Sequence, residues 1–220
     1  MKPWETLATT TAPDGNVFEL RHHDGSYVIR TASGDVMTSY SHHSEEAMVA
    51  IACPRPSDTA CLLIGGLGMG YTLAASLDLL PPTATVIVCE LVPAVVDWNR
   101  GILGPLTGHP LDDQRTEIIE GDVADVIKDS ESRFDAILLD VDNGVDSFTV
   151  ASNSRLYTPK GLALAHRALR RKGSLAIWSV GVDNSFERNF KKAGFTASTH
   201  KIRGRKKGGG HHSVLVGKKL

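Results

Sequence analysis

Four glycines, Gly65, Gly66, Gly68 and Gly70, fall within IGGLGMGY, after the apolar run CLLIG and before the helical pattern YTLAASLDLL. Without a Cβ, a chain can turn tightly there and let a ligand approach its backbone. Acids recur at the ends of the apolar runs that follow. Glu90 closes TVIVCE, Asp122 follows TEIIEG, and Asp140 closes FDAILLD, with Asp142 two residues on. In an open sheet with helical crossovers these positions gather at the carboxyl edge of the strands, where nucleotides bind. Glu90 is then placed to accept both ribose hydroxyl protons, and Asp122 with the adjoining Val123 to reach an adenine edge. The spacing is G-x-G-x-G rather than the G-x-G-x-x-G of a dinucleotide site, and there is no G-K-[ST] of a P-loop. These residues predict a pocket for an adenosine.

The elements that must position them are legible in outline. VFELR, SYVIRT and DVMTSY alternate like strands around the turn signals HHDG and ASGD, which predicts a small antiparallel meander over residues 1–45. SEEAMVAIAC then reads as a short helix with Ser44 at its N-cap and two acids in its first turn. This helix and the PRPSD segment form a hinge and linker over residues 46–59. From residue 60 to 220, CLLIG, TVIVCE, TEIIEG, FDAILLD and SLAIWSV alternate with helical periods, among them GLALAHRALRR. Runs that are apolar throughout, separated by helices, mark a parallel sheet covered on both faces. NSFERNFKKAGF adds a helix stopped at Gly194, and TASTHKIR and HSVLVGKK are joined too briefly for a crossover helix. The fold class is α/β: a Rossmann-like, doubly wound sheet of five parallel strands with a terminal antiparallel hairpin, preceded by the β-meander.

Composition narrows the class. The 220 residues suit one full-sized domain with a small appendage, and 41% hydrophobic content is enough for a core. No apolar run is long enough to span a bilayer, and the N-terminus lacks the apolar region of a signal peptide. Cys53, Cys61 and Cys89 lack metal-type spacing and read as reduced core residues, which points to a cytoplasmic protein. A net charge of −1 gives no global argument for nucleic acid.

The glycine spacing, the acids and the terminal hairpin together resemble the class I S-adenosylmethionine-dependent transferases over residues 60–220. With the meander and the EE helix included, the chain resembles the spermidine synthase (polyamine aminopropyltransferase) family over nearly its whole length. LLIGGLGMG lies where that family has its glycine-rich loop, FDAILLDVDNG where it has a strand ending in Asp with a second Asp shortly after, and RLYTPKGLALAHRALRRKGSLAIWS where it has the next helix and strand. In this chain Gly68 stands where the family's loop has an Asp, and Asn143 where its second Asp stands. The resemblance implies transfer of an aminopropyl group to a polyamine or other amine, with S-adenosylmethionine or its decarboxylated form as co-substrate, no metal, and a homodimer. Two alternatives stay open: a methyltransferase acting on a small molecule, and a catalytically silent nucleoside-binding homologue.

A sulfonium donor leaves as a neutral thioether, so the protein must supply a deprotonated, well-placed amine. A carboxylate that holds the ammonium and takes its proton is suited to this. Asp140 is the first candidate. Asp142 comes second, since residues two apart on an extended segment share a face, although an Asp in DNG also suits a turn. Glu46, on the hinge helix, resembles a family glutamate that closes the site, and serves equally as a helix-dipole acid. Tyr157 reads as a core aromatic.

His22-His23, His42-His43 and His211-His212 invite a metal reading, but neighbours on a strand point to opposite faces and no Cys or carboxylate stands at ligand spacing. They read as structural or surface histidines. KIRGRKKGGGHH holds five basic residues among glycines, the mark of a solvated hairpin tip. Without interleaved aromatics it gives little support to nucleic-acid binding.

Overall fold

The computed structural model describes residues 3–140, 153–179, 184–205 and 210–220. Two sheets carry the fold. The first is a four-stranded antiparallel meander, β1 (Glu5–Thr11), β2 (Val17–His23), β3 (Ser26–Thr31) and β4 (Gly34–Thr38), ordered β1-β2-β3-β4. Asp24 and Gly25 both take positive φ, 44° and 78°, so this two-residue turn has the twist that an antiparallel hairpin needs. The sequence reading missed β1. Its threonine-rich residues lie at an edge and alternate only weakly between exposed and half-buried positions.

The second sheet contains β5 (Cys61–Gly65), β6 (Thr85–Glu90), β7 (Thr116–Glu120), β8 (Phe134–Leu139), β9 (Leu169–Ser179), β10 (Phe195–Arg203) and β11 (His211–Lys219). Their order is β10-β11-β9-β8-β5-β6-β7. β11 pairs antiparallel with both β9 and β10, so it alone runs against the other six. Side-chain alternation divides the interior into two layers. Leu62, Ile64, Val86, Val88 and Leu138 face α1 (His43–Ala52), α2 (Tyr71–Leu79) and α3 (Pro93–Arg100), and Phe18, Leu20 and Ile29 of the small sheet join this layer. Leu63, Ile87, Ile137 and Ile177 face α4 (Val123–Lys128), α5 (Pro159–Ala168) and α6 (Asn184–Lys192) on the other side. Among the described residues no helix is long and apolar enough to cross a membrane.

Two local readings are corrected. The helix read through Arg171 ends at Ala168, and β9 begins at once with Leu169. Lys172 takes φ 66°, and a Cβ on Gly173 would lie 3.1 Å from the carbonyl oxygens of both Phe134 and Asp135, so a bulge absorbs residues that otherwise read as helical. Ser44 is not the cap of α1 but its second residue. His42 holds the cap position and makes no side-chain capping bond.

Candidate functional site

The glycine loop joins β5 to α2 in the middle of the large sheet, and Gly66, Gly68 and Gly70 all take positive φ (86°, 54° and 83°). Two backbone bonds tie neighbouring strand ends to it, and a third joins the ends of β6 and β7. Gly66 N–H donates to Cys89 O at 2.9 Å, Gly121 N–H to Glu90 O at 2.8 Å, and Asp140 N–H to Gly65 O at 2.9 Å. Glu90, Gly121 with Asp122, and Asp140 are thereby gathered along one edge, as the spacing of the acids predicts. Gly65 is bare for packing: a Cβ there would lie 2.9 Å from Leu139 Cδ2 and 3.1 Å from the Val123 methyls.

Glu90 is almost wholly enclosed. Its Oε2 accepts Leu67 N–H at 2.8 Å and its Oε1 accepts Val92 N–H at 2.9 Å. Dehydration pushes its pKa up, while these loop amides pull it back. Glu90 therefore braces the glycine loop. Asp122 caps α4, accepting Ala124 N–H at 2.8 Å, and its other oxygen pairs with the Arg155 guanidinium. Val123 starts α4 and packs behind Gly65.

Asp140 is half-buried, and its pKa stands well above the ordinary carboxylate value because the strand end is dehydrated. The charge of Glu45 raises it further. Glu45 is buried in α1 and likewise raised, mainly by dehydration, with the Ser44 hydroxyl donating to its Oε2 at 2.5 Å. Ser44 in turn accepts the Trp178 Nε1–H at 3.0 Å, and Trp178 stacks on His212 at 4.7 Å. A line of contacts therefore runs from the end of β9 through α1 to a pair of dehydrated carboxylates.

Glu46 looks elsewhere. It meets His42 Nδ1 at 2.7 Å and lies half-exposed, while His42 stacks on Tyr71 with ring centroids 3.9 Å apart. The Tyr71 hydroxyl is pushed up to about 12 by burial, with Glu46 and Glu45 adding to it. Of the two adjacent acids, the structure brings Glu45, not Glu46, to bear on Asp140. The signal was available: positions 45, 48, 49 and 52 share the buried face of α1, and 46 does not. His42 and His212, read as structural or surface residues, are ring partners in the walls beside these acids. Tyr157 packs against the second core layer. Asp142 and Asn143 lie outside the described residues, as do 206–209 of the basic hairpin tip. Among the described residues, no three His, Cys, Asp or Glu side chains are grouped to hold a metal.

Residues 103–212, half of the chain, match the model of a family described as S-adenosyl-L-methionine-dependent methyltransferase. The chain belongs to this methyltransferase family. It is 29% identical over 121 residues to a polyamine aminopropyltransferase of Korarchaeum cryptofilum (strain OPF8), a match that takes in 55% of this chain. That match spans only 35% of the length of the curated relative. The fold is similar to that of the spermidine synthase of Thermotoga maritima, with a TM-score of 0.78 at 18% identity, covering 98% of this chain and 72% of that one. A spermidine synthase in complex with the transition-state analogue AdoDATO gives a TM-score of 0.76 at 18% identity, with the same coverage of 98% and 72%.

Proposed function

We propose that this methyltransferase-family protein is a spermidine synthase-like transferase that moves an alkyl group from a sulfonium nucleoside to the nitrogen of an amine. The first reading is an aminopropyl group carried to a polyamine. The observation that carries it is the place of Asp140, whose N–H is bonded to Gly65 O at the foot of the glycine loop and whose carboxyl is raised by dehydration and by the charge of Glu45, buried in α1. Carboxylates left without a cation in a dry site favour protonation, and an arriving ammonium reverses that preference.

In this reading the ribose hydroxyls bond to Glu90, the adenine lies by Asp122 and Val123, and the sulfonium faces Asp140. The free amine attacks the carbon on sulfur, the carbon–sulfur bond breaks, and its electron pair stays on a neutral thioether. The new carbon–nitrogen bond leaves one proton in excess on nitrogen, which passes to Asp140. A raised carboxylate pKa brings that base nearer to the working pH. Glu45 holds the acceptor's other nitrogen, Glu46 stays paired with His42 away from the acceptor, and Asp142 is a second candidate base. A homodimer formed through residues 15–45 is part of the proposal, because the small sheet has open edges.

Methyl transfer from intact S-adenosylmethionine is the second reading. It is favoured by Gly68 itself, where a Cβ would meet the Met37 thioether and no acid stands in the place of the family's Asp. Calorimetric titration with S-adenosylmethionine, its decarboxylated form and methylthioadenosine tests the donor site. Binding of none of them would overturn the transferase reading. Product analysis with spermidine, putrescine and simple amines then decides between the two transfers.

A further inference from the structure

We propose that the Met37 side chain fills the subsite for the donor's amino-acid tail and is the group that this tail must displace. The inference rests on the donor-site reading above and adds a residue and a preference to it. The bare position in the middle of the glycine loop is not empty: a Cβ on Gly68 would lie 2.6 Å from Met37 Sδ and 3.2 Å from its Cε. The next peptide makes the contact directional, since Met69 N–H donates to Met37 Sδ at 3.0 Å.

The carbonyl of that same peptide, Gly68 O, accepts Asn99 Nδ2–H at 2.8 Å from the buried side of the loop. Asn99 is itself 1% exposed and is held by a second bond to Val95 O, so the peptide cannot easily turn over. Its N–H is thereby aimed at β4, and its partner there is a thioether, among the weakest acceptors a side chain offers. A carboxylate in the same place would form a charge-assisted bond about twice as strong as a neutral one.

Position argues for the tail. Glu90 accepts the N–H of Leu67, one residue before Gly68, and Asp140 is bonded to Gly65. A nucleoside with its ribose at Glu90 and its transferring carbon toward Asp140 has the Gly68–Met69 peptide left for the third substituent on sulfur. Met37 is suited to yield there. It is unbranched, with three rotatable bonds, and stands half-buried on the edge strand of the small sheet. It keeps a fixed backbone donor satisfied while the site is empty and releases it to a stronger acceptor. A tail that ends in a carboxylate is therefore favoured over one that ends in an ammonium alone, which selects intact S-adenosylmethionine over the decarboxylated donor and so favours the second of the two readings above, methyl transfer.

The test is calorimetric titration of the unmodified protein, Met37→Ala and Met37→Leu with S-adenosylmethionine, its decarboxylated form and methylthioadenosine, which has no tail. The unmodified protein is expected to bind the intact donor more tightly than the decarboxylated one. Met37→Ala is expected to tighten the intact donor by up to about tenfold, because the tail no longer has to displace the side chain's bulk, and to leave methylthioadenosine within about twofold. Met37→Leu keeps the bulk and the packing, so it is expected to bind the intact donor no more tightly than the unmodified protein does. This holds the test open if the alanine variant fails to fold. Decarboxylated donor bound as tightly as the intact one, or intact donor weakened in Met37→Ala, overturns the proposal, as does tightening in Met37→Leu. Equal change for all three nucleosides in Met37→Ala also overturns it, making Met37 a wall of the whole pocket. If methylthioadenosine binds and the tail order is reversed, only this inference fails. If no nucleoside binds, the donor site fails with it.

Discussion

Glu90 and Asp140 stand at the ends of β6 and β8, on either side of β5 and its glycine loop, and both are carboxylates with raised pKa values. Their surroundings differ. Glu90 is enclosed, and each of its oxygens accepts a backbone N–H from the loops beside it. No hydrogen bond from a described residue reaches the Asp140 carboxylate, and its charged neighbour is another acid, Glu45. The first arrangement compensates a buried charge with fixed dipoles and so holds the loop in shape. The second has no such compensation from the described residues. A site that binds a nucleoside and then acts on an amine needs one carboxylate of each kind, because a pre-satisfied acid positions well but is a poor proton acceptor.

The comparison breaks most visibly at Glu90. Glu90→Ala strips the acceptor from two enclosed N–H groups, and each unsatisfied group costs about 1–3 kcal/mol. Nucleoside binding is expected to disappear from calorimetry and the denaturation midpoint to fall, whereas a strand-end acid with no bracing role would leave the midpoint alone. At Asp140 the signature is expected to be the opposite. Asp140→Asn should leave nucleoside affinity within a few-fold and lower turnover by about a hundredfold or more, the scale of a positioned base. The deficit should shrink at high pH, where more of the acceptor is already free amine, and normal turnover in this variant would remove Asp140 from the chemistry.

Trp178→Phe sharpens the acceptor half. It removes the indole N–H that holds Ser44, and through Ser44 the orientation of Glu45. Turnover is expected to fall by about tenfold, the value of one hydrogen bond, with the nucleoside dissociation constant unchanged. A matched loss of nucleoside affinity would show that Trp178 serves the donor instead. The smallest effect expected is on the stability of the unliganded protein. Asp140 has a folded-state pKa above its unfolded one, so folding weakens as pH rises from the ordinary carboxylate range to the raised value, and the penalty persists above it. Asp140→Asn avoids that penalty and is expected to melt a few degrees higher than the unmodified protein near neutral pH. The advantage should vanish below about pH 3, where the unmodified carboxyl is protonated in both states. Equal melting temperatures at neutral pH would mean that the strand end is wetter than its surroundings indicate.

The chain's local pattern determined the larger sheet and the edge at which the glycine loop and the acids gather. Apolar runs such as CLLIG and TVIVCE interleave with 3.6-period segments, and that alternation set strand, helix and the acids at the strand ends before any contact was known. The glycine spacing likewise identified the loop, because positive φ is a property of the residue itself. Other features depended on contacts between residues far apart in the chain. That β1 joins the meander, that β9 begins at Leu169, that Glu45 rather than Glu46 bears on Asp140, and that Met37 lies against Gly68 were decided only when the elements packed together. Periodicity can say which face of α1 is buried, but not which carboxylate from another strand end will meet it. The physical reason is that these contacts join residues thirty or more positions apart in several cases, and their energy comes from dehydration and close packing, which exist only once the two sheets and α1 have closed around the site.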